Sequence, residues 1–244
     1  MTPALELRSV DAAYGPFRAL FGLSLAVEPG EAVALLGSNG AGKTTVARVA
    51  SGLLAPTSGQ VLVDGEDLTG SRAYQFARAG IAHAPEGRST FGTLTVDENL
   101  TLAFRRSRGR NGVAEGLDRA YELFPSLAQR RRQLAGNLSG GEQRMLSMAR
   151  VLVDVPKVLI ADELSLGLAP IVVDQTYQSL QKLREEGTAL LIIEQHISHA
   201  LWLCDRVAEL DHGSISWTGD SEAASERLTA HLRETHVLDD APPA

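Results

Sequence analysis

A glycine-rich run between a buried strand and an apolar helix constrains this chain most. Residues 37–45 read Gly-Ser-Asn-Gly-Ala-Gly-Lys-Thr-Thr and fit the pattern G-x-x-x-x-G-K-[ST]. The run follows five apolar residues that predict a buried strand, and it precedes an apolar helix predicted over 46–54. Glycines let the backbone curve closely, so its N–H groups can surround a polyphosphate. The sequence therefore predicts a loop that binds nucleotide phosphates.

Each residue of this loop has an expected place around a nucleotide. Lys43 should reach the β and γ oxygens, and the hydroxyl of Thr44 should bind Mg²⁺. The positive end of the following helix faces the phosphates. A glycine-rich turn that only joins strand to helix is the alternative, and the pattern and its context together argue against it. The predicted nucleotide-binding residues of the loop are Gly37, Ser38, Asn39, Gly40, Ala41, Gly42, Lys43, Thr44 and Thr45.

Two adjacent acidic residues end another apolar run. Residues 158–161 predict a buried strand that leads directly into Asp162 and Glu163. Parallel sheets hold ligands at the carboxyl ends of their strands, so we expect the pair beside the phosphate loop. Adjacent strand residues point to opposite faces, which predicts that Asp162 binds Mg²⁺ while Glu163 polarises the attacking water. Solvated charges closing a strand are the alternative for the pair taken alone.

The order of the apolar patterns predicts an α/β fold. Residues 158–161 and 189–193 have the apolarity of central parallel strands, and the segment between them has a helical period that stops at Gly187. From 96 to 138 the strand patterns give way to helical ones. We therefore predict one domain over 1–244, with an α/β core of 1–95 and 139–234, a helical subdomain at 96–138 and a frayed tail at 235–244.

Composition limits the partners that the chain can have. A formal net charge of -7 argues against nucleic acid as a partner, and the arginine runs at 105–110 and 130–132 are expected to be solvated surface.

The single cysteine, Cys204, excludes an intramolecular disulfide, suits a reducing compartment and is expected in the core. No apolar run approaches the roughly 18 residues of a membrane helix, and the first residues lack the pattern of a secretory signal. A membrane span would have to come from another chain.

A third motif, Leu-Ser-Gly-Gly-Glu-Gln at 138–143, heads a predicted helix. Ser139 and Glu142 have the spacing of a capping box, so a plain helix start is one interpretation. Gly140 and Gly141 also bring N–H groups and the positive end of the helix to a surface, which favours an anion.

With these three motifs in this order and approximate spacing, the chain resembles the ATP-binding cassette (ABC) family over residues 5–219. The resemblance implies a P-loop NTPase cassette with a mostly parallel sheet core, N-terminal antiparallel strands and an inserted helical subdomain. It implies ATP and Mg²⁺ as ligands, and a second cassette, either a copy or a paralogue, bound head to tail. ATP on the loop of one cassette would then be capped by residues of the other, namely Ser139, Gly140, Gly141 and Glu142.

The resemblance also assigns roles outside the three motifs. Tyr14 falls where the family stacks an aromatic ring on adenine, although the residues alone indicate only a strand-end tyrosine. Glu86 takes the place of a glutamine that reaches Mg²⁺ and touches the membrane partner. Residues 165–170 fall on the loop that crosses the dimer interface. Gln195 holds the position of the usual γ-phosphate-sensing histidine, so we predict it as an uncharged sensor and the neighbouring His196 as structural.

Within the family, the segments 85–88, 165–170 and 194–196 look most like those of branched-chain amino acid transport ATPases. Leu164 replaces the usual proline after the catalytic glutamate, and Ala169 replaces the interface aspartate of the general family. The expected catalytic residues are Lys43, Glu163 and Gln195.

The expected function is that of a Mg-dependent ATPase that energises an importer of branched-chain amino acids or a related small organic solute. It would lie at the cytoplasmic face of the membrane, held there by permease subunits and served indirectly by a solute-binding protein. Alternatives are an ABC ATPase of lipid or polysaccharide export, a soluble non-transport ABC ATPase, and a regulator that has lost hydrolysis. The presence of Lys43, Asp162 and Glu163 argues against the last.

Overall fold

Ten strands in two sheets, with helices between them, make up the computed structural model, which describes residues 2–85, 90–153, 155–165, 169–195 and 201–227. The strands are β1 (Leu5–Tyr14), β2 (Phe17–Val27), β3 (Ala32–Leu36), β4 (Ser58–Val63), β5 (Glu66–Asp67), β6 (Ile81–Ala84), β7 (Val158–Asp162), β8 (Ala189–Glu194), β9 (Arg206–Asp211) and β10 (Ser214–Asp220). The helices are α1 (Lys43–Ala50), α2 (Ala73–Ala79), α3 (Val96–Ser107), α4 (Val113–Leu123), α5 (Pro125–Ala128), α6 (Gly140–Leu152) and α7 (Pro170–Glu185). Within these ranges every helix falls short of the length and apolarity that crossing a lipid bilayer requires.

The larger sheet has the strand order β10-β9-β3-β8-β7-β6. Its strands run parallel except for β10, which pairs antiparallel with β9. Every residue of β3, β7 and β8 is buried, because both faces of these central strands are covered, and this explains their unbroken apolar runs. The predicted α/β fold with a mostly parallel sheet is confirmed. The carboxyl ends of β3, β8 and β7 lie side by side at one edge.

The smaller sheet is antiparallel, with the order β2-β1-β4-β5. Alternate residues of β1, among them Leu5 and Leu7, are buried, as expected for strands with one face towards a core. The N–H of Phe21 in β2 donates to the carbonyl of Gly213, after β9, at 2.9 Å and so joins the two sheets. The expected N-terminal antiparallel strands are confirmed.

Helix α1 begins and ends earlier than the sequence predicts. It was expected at 46–54, and it spans Lys43–Ala50. Gly42 precedes it in the left-handed region with φ of 110°, so the glycine-rich loop turns directly into the helix. At the other end the hydroxyl of Ser51 donates back into the last turn at 2.7 Å, and Gly52 has φ of 70°. These two residues end the helix before the apolar residues that suggested its continuation.

Backbone hydrogen bonds pair two short segments at the start and the end of the helical part of the chain. Residues 92–97 and 131–136 run antiparallel and exchange backbone hydrogen bonds of 2.8 to 3.0 Å. Helix α3 begins within the first segment, and α4 and α5 follow before the second. The paired segments fall close to the predicted boundaries at 96 and 138, although the division into a separate subdomain stays a prediction. The predicted tail at 235–244 lies outside the described residues.

Phe104 of α3 is the central side chain of this helical part. It is fully buried and belongs to the cluster that includes residues of α4 and α6. A Cβ placed at Gly116 of α4 would lie 2.7 Å from the Phe104 ring, so the glycine lets the ring lie directly against the helix backbone. The absence of a side chain at Gly116 therefore lets α3 and α4 pack closely around the Phe104 ring.

We predict that Phe104→Ala lowers the free energy of unfolding by about 3–5 kcal/mol, because it removes a buried ring and leaves a cavity. Leu102→Ala on the same helix is the matched control, since Leu102 is 48% exposed. Urea unfolding followed by circular dichroism measures both. Equal midpoints for the two variants would contradict the packing described for α3 and α4.

Candidate functional site

The glycine-rich loop lies between β3 and α1 with its backbone close to neighbouring strands. A Cβ at Gly37 would lie 2.6 Å from the carbonyl oxygen of Leu210, and one at Gly42 would lie 3.0 Å from that of Ala19. Glycine is therefore required at both positions by backbone contact, and at Gly42 also by its positive φ. The remaining loop residues divide by burial: Ser38, Asn39, Gly40 and Thr44 are exposed, and Ala41 and Thr45 are buried.

Lys43 brings the first two predicted motifs together. Its side chain is only 5% exposed, and its Nζ donates to the carbonyls of Gly37 at 2.8 Å and Ser38 at 3.2 Å. The same Nζ lies 3.5 Å from Oε1 of Glu163. The loop thus closes around an ammonium group that faces the acidic end of β7, although the two motifs lie far apart in sequence. Their predicted roles in binding and hydrolysis stay predictions.

The chain turns sharply where β7 ends. Asp162 is 1% exposed, whereas Glu163 has φ of 47°, in the left-handed region that non-glycine residues rarely adopt. The N–H of Glu163 donates to the carbonyl of Ile193 in β8 at 2.8 Å. Arg144 of α6 donates through Nη2 to the carbonyls of Asp162 at 2.9 Å and Glu163 at 3.1 Å. The two carboxylates have different surroundings, as expected, but Glu163 owes its direction to this turn and not to strand alternation.

Ser139 is the N-cap of α6. The N–H of Glu142 donates to Ser139 Oγ at 3.3 Å, and the N–H of Ser139 donates to Glu142 Oε2 at 2.8 Å, so the capping box is present. Burial acts to raise the pKa of Glu142, but the hydrogen bonds from Ser139 and the charge of Arg130 outweigh it and hold that pKa below its ordinary value. Ser139 is exposed, with Gly140 and Gly141 half-buried. The positive end of the helix therefore lies at the surface, and its binding to a phosphate stays a prediction.

Tyr14 ends β1 and is 40% exposed. The guanidinium of Arg48 in α1 lies 5.9 Å from its ring centroid and 3.3 Å from its hydroxyl. A cleft of about 430 Å³ borders the glycine-rich loop at Gly40 and is lined also by Arg18 and Phe21. Phe21 lines this cleft and Tyr14 does not, so an exposed ring beside the loop suits a planar base while the stacking of adenine on Tyr14 stays a prediction.

The structure describes only some of the remaining predicted site residues. Gln195 directly follows β8 and is exposed, so it stands at the sheet edge that carries the loop and the acidic pair. Glu86 and His196 lie outside the described residues, as do positions 166–168 of the predicted interface loop. Cys204 is buried, as predicted, and burial raises the pKa of its thiol to about 12, so it is a core residue.

The sequence analysis missed two side chains that shape this edge. Arg144 is 7% exposed and, besides the carbonyls of Asp162 and Glu163, bonds the carbonyl of Pro85 at 2.8 Å through Nη1. Glu194 is a 2% exposed carboxylate at the end of β8. A charged residue that closes an unbroken apolar strand was a usable signal for Glu194, as it was for Asp162. Arg144 gave no signal, because its partners are backbone groups from distant segments.

We predict that Lys43→Ala weakens equilibrium binding of Mg-ATP roughly 10- to 100-fold, the loss expected for charged hydrogen bonds to phosphate. Lys182→Ala, at an exposed position of α7, is the matched control and should bind as the parent does. Titration calorimetry measures both affinities. Parent-like binding by Lys43→Ala would contradict the assignment of the loop.

Comparison with known proteins adds to this geometry. Residues 20–165 match the family model described as ABC transporter. The chain is 42% identical over 212 residues to the "High-affinity branched-chain amino acid transport ATP-binding protein BraG" of Pseudomonas aeruginosa, covering 86% of this chain and 90% of that protein. It is 36% identical over 202 residues to the "Lipopolysaccharide export system ATP-binding protein LptB" of Haemophilus influenzae, covering 82% and 83%. A solved structure titled "Structure of ATP binding subunit of ABC transporter" has a TM-score of 0.82 and 25% identity, covering 96% of this chain and 98% of that chain.

Proposed function

Since the chain belongs to the ABC transporter family, whose cassettes bind and hydrolyse ATP, we propose that it energises an importer of branched-chain amino acids or a related small organic solute. The observation that carries this proposal is the 42% identity to BraG over 86% of the chain. The identity to LptB, a protein named for lipopolysaccharide export, is lower at 36%. The segments around Ser165 and Gln195 also support import, because they resemble the corresponding segments of branched-chain amino acid transport ATPases.

The nucleotide site is built by the glycine-rich loop, with Lys43 and Glu163 facing each other. On binding ATP, Lys43 exchanges its present carbonyl partners in the loop for phosphate oxygens, because an anionic oxygen is the stronger acceptor for an ammonium. Glu163, at the end of β7, then orients and polarises the water that attacks the γ-phosphate. Tyr14 supports the base, and Gln195 donates a hydrogen bond to the γ-phosphate without adding a charge.

The donors at this edge fit a magnesium ion. Mg²⁺ prefers hard oxygen ligands, and it is usually held by one or two carboxylates together with phosphate oxygens. Thr44 offers an exposed hydroxyl at the start of α1, and Asp162 a buried carboxylate at the end of β7. Glu86, which follows β6 in the sequence, is the third proposed ligand. When bound, the ion neutralises the charge that develops on the phosphates.

A second cassette completes the site in this proposal. The described hydrogen bonds of Ser139 stay within its own helix end, which is exposed and carries a positive dipole. Head-to-tail association, with a copy or a paralogue, would place Ser139, Gly140, Gly141 and Glu142 over ATP held by the other chain. ATP then joins the cassettes and its hydrolysis releases them.

A groove between the sheet core and the helical part is the proposed binding site for the permease. Its volume is about 1120 Å³, and its lining includes residues of α2, β6, α3 and α6 and Pro85, which precedes Glu86 in the sequence. Arg78 and Arg106 give its rim positive charge, while burial lowers the pKa of His83 in its wall to about 4 and leaves that ring uncharged at neutral pH. The rim suits a permease segment with acidic residues, and it holds the chain at the cytoplasmic face of the membrane. A solute-binding protein would act indirectly, through the permease.

The solute is tested with the membrane proteins that co-purify with the tagged chain. We predict that branched-chain amino acids, supplied with their binding protein, raise the ATPase rate of the reconstituted complex several-fold, whereas lipopolysaccharide leaves it unchanged. Stimulation by lipopolysaccharide alone would replace the import proposal with an export one.

The groove is tested by charge reversal on its rim. We predict that Arg78→Glu combined with Arg106→Glu weakens association with the co-purified permease by about tenfold or more, since it sets like charges against each other. The ATPase rate of the isolated chain should stay within about twofold of the parent, because neither residue belongs to the nucleotide site. Arg105→Glu, on the same helix but outside the groove, is the control. Parent-like association of the double variant would remove the groove as the docking site.

A further inference from the structure

A buried carboxylate at the end of β8 has no role in the account above. Glu194 is 2% exposed and accepts three hydrogen bonds. Its Oε1 accepts from the N–H of Ser165 at 3.0 Å and from the hydroxyl of Tyr177 at 3.2 Å, and its Oε2 accepts from the hydroxyl of Ser165 at 2.8 Å. Burying a carboxylate costs free energy unless such donors surround it. A buried carboxylate with three donors is therefore a built feature, and we ask what it does.

Two of the three donors belong to one residue of the loop after Glu163. Ser165 offers both its N–H and its hydroxyl to Glu194, and the N–H of Glu163 donates to the carbonyl of Ile193. Consecutive residues of β8 therefore hold the two ends of the turn from Glu163 to Ser165. Leu164, between them, is buried and anchors the turn to the core.

The turn held in this way is strained. Glu163 has φ of 47°, and a non-glycine residue keeps such a conformation only where its surroundings fix it. Arg144 binds the carbonyl of Glu163 from one side, and the end of β8 binds the turn from the other. Without the bond from Ser165 to Glu194, the chain after Glu163 could relax towards an extended conformation and move the carboxylate away from Lys43.

We propose that Glu194 is a positioning residue for ATP hydrolysis: through Ser165 it fixes the turn that aims the Glu163 carboxylate at the nucleotide. The proposal rests on the role of Glu163 given under the proposed function. Glu194 also directly precedes Gln195, so a single strand end carries the predicted phosphate sensor and holds the loop that leads towards the second cassette. Glu194 itself touches neither ATP nor the reacting water.

If Glu194 only stabilised the fold, a different pattern of activity would be expected among variants of its hydrogen-bond donors. The hydroxyls of Ser165 and Tyr177 each donate to Glu194, but Tyr177 lies in α7 and not in the turn. Loss of either hydroxyl removes one donor from the same buried carboxylate. Only the loss at Ser165 loosens the turn that carries Glu163. The variants Ser165→Ala and Tyr177→Phe therefore form a matched pair.

The pair is tested on the purified chain with Mg-ATP. Ser165→Ala and Glu194→Gln should lower kcat by about 10- to 100-fold with the KM for ATP within about twofold of the parent, because a misplaced group affects the chemical step and not binding. Tyr177→Phe should keep the parent kcat even where its melting temperature falls. Parent-like kcat in Ser165→Ala and Glu194→Gln, or an equal loss of kcat in all three variants, would overturn the proposal.

A second measurement isolates the path through Glu163. In single-turnover cleavage, Glu194→Gln added to Glu163→Gln should cause no further loss, since the group that Glu194 positions is already gone. A further loss as large as that in the parent background would show that Glu194 acts elsewhere. Both measurements use the chain without its permease, so failure of the import proposal appears only in the solute stimulation of the reconstituted complex.

Discussion

The contact between Lys43 and Glu163 depends on one constraint, the order of strands in the larger sheet. Because β8 lies between β3 and β7 and all three run parallel, their carboxyl ends meet at one edge. The loop after β3 then places the Lys43 ammonium 3.5 Å from the carboxylate that follows β7. The intervening strand supplies the carbonyl of Ile193, which accepts from the N–H of Glu163 and so helps to hold the turn. Every proposed step of hydrolysis depends on this edge.

Buried hydrogen bonds hold the acidic pair at this edge, whereas the residues expected to meet partners are exposed. The turn at Glu163 is bonded by β8 on one side and by Arg144 on the other. Arg144 also binds the carbonyl of Pro85, so α6, the end of β7 and Pro85, which precedes Glu86 in the sequence, share one guanidinium. In contrast, Ser139 and Gln195 are exposed. Residues that act within the chain are thus fixed by buried bonds, and those expected to meet ATP from a second cassette or to sense it lie at the surface.

The sequence was most informative where local pattern and tertiary role agree. The strand before Gly37, the acidic pair after residues 158–161 and the capping box at Ser139 each have a short-range signature, and each lies in the expected element. The predicted bounds of helix α1 were wrong because the apolar pattern of 46–54 does not reveal where the helix begins and ends. It begins directly after the left-handed Gly42, and Ser51 and Gly52 end it. Local pattern is a weak guide to such boundaries.

The support of Glu163 could not be predicted, because it comes from tertiary contacts. Strand alternation predicts opposite directions for Asp162 and Glu163, but β7 ends at Asp162 and the direction of Glu163 comes from a positive φ that β8 and Arg144 hold in place. Glu194 ends an apolar strand and so could have been noticed, but its bonds to Ser165 join residues that are far apart in sequence. Tyr14 was identified only through resemblance, since its residue type and position suit many strand ends.

We propose that the end of β7 presents the hydrolytic group to ATP held by the glycine-rich loop. Single-turnover cleavage of Mg-ATP by Glu163→Gln, with binding measured in parallel, tests it most directly. We expect near-parent affinity and a cleavage rate lowered by about 100- to 10,000-fold, the range for loss of a positioned general base. A Glu163→Gln chain that cleaves ATP at the parent rate would contradict it.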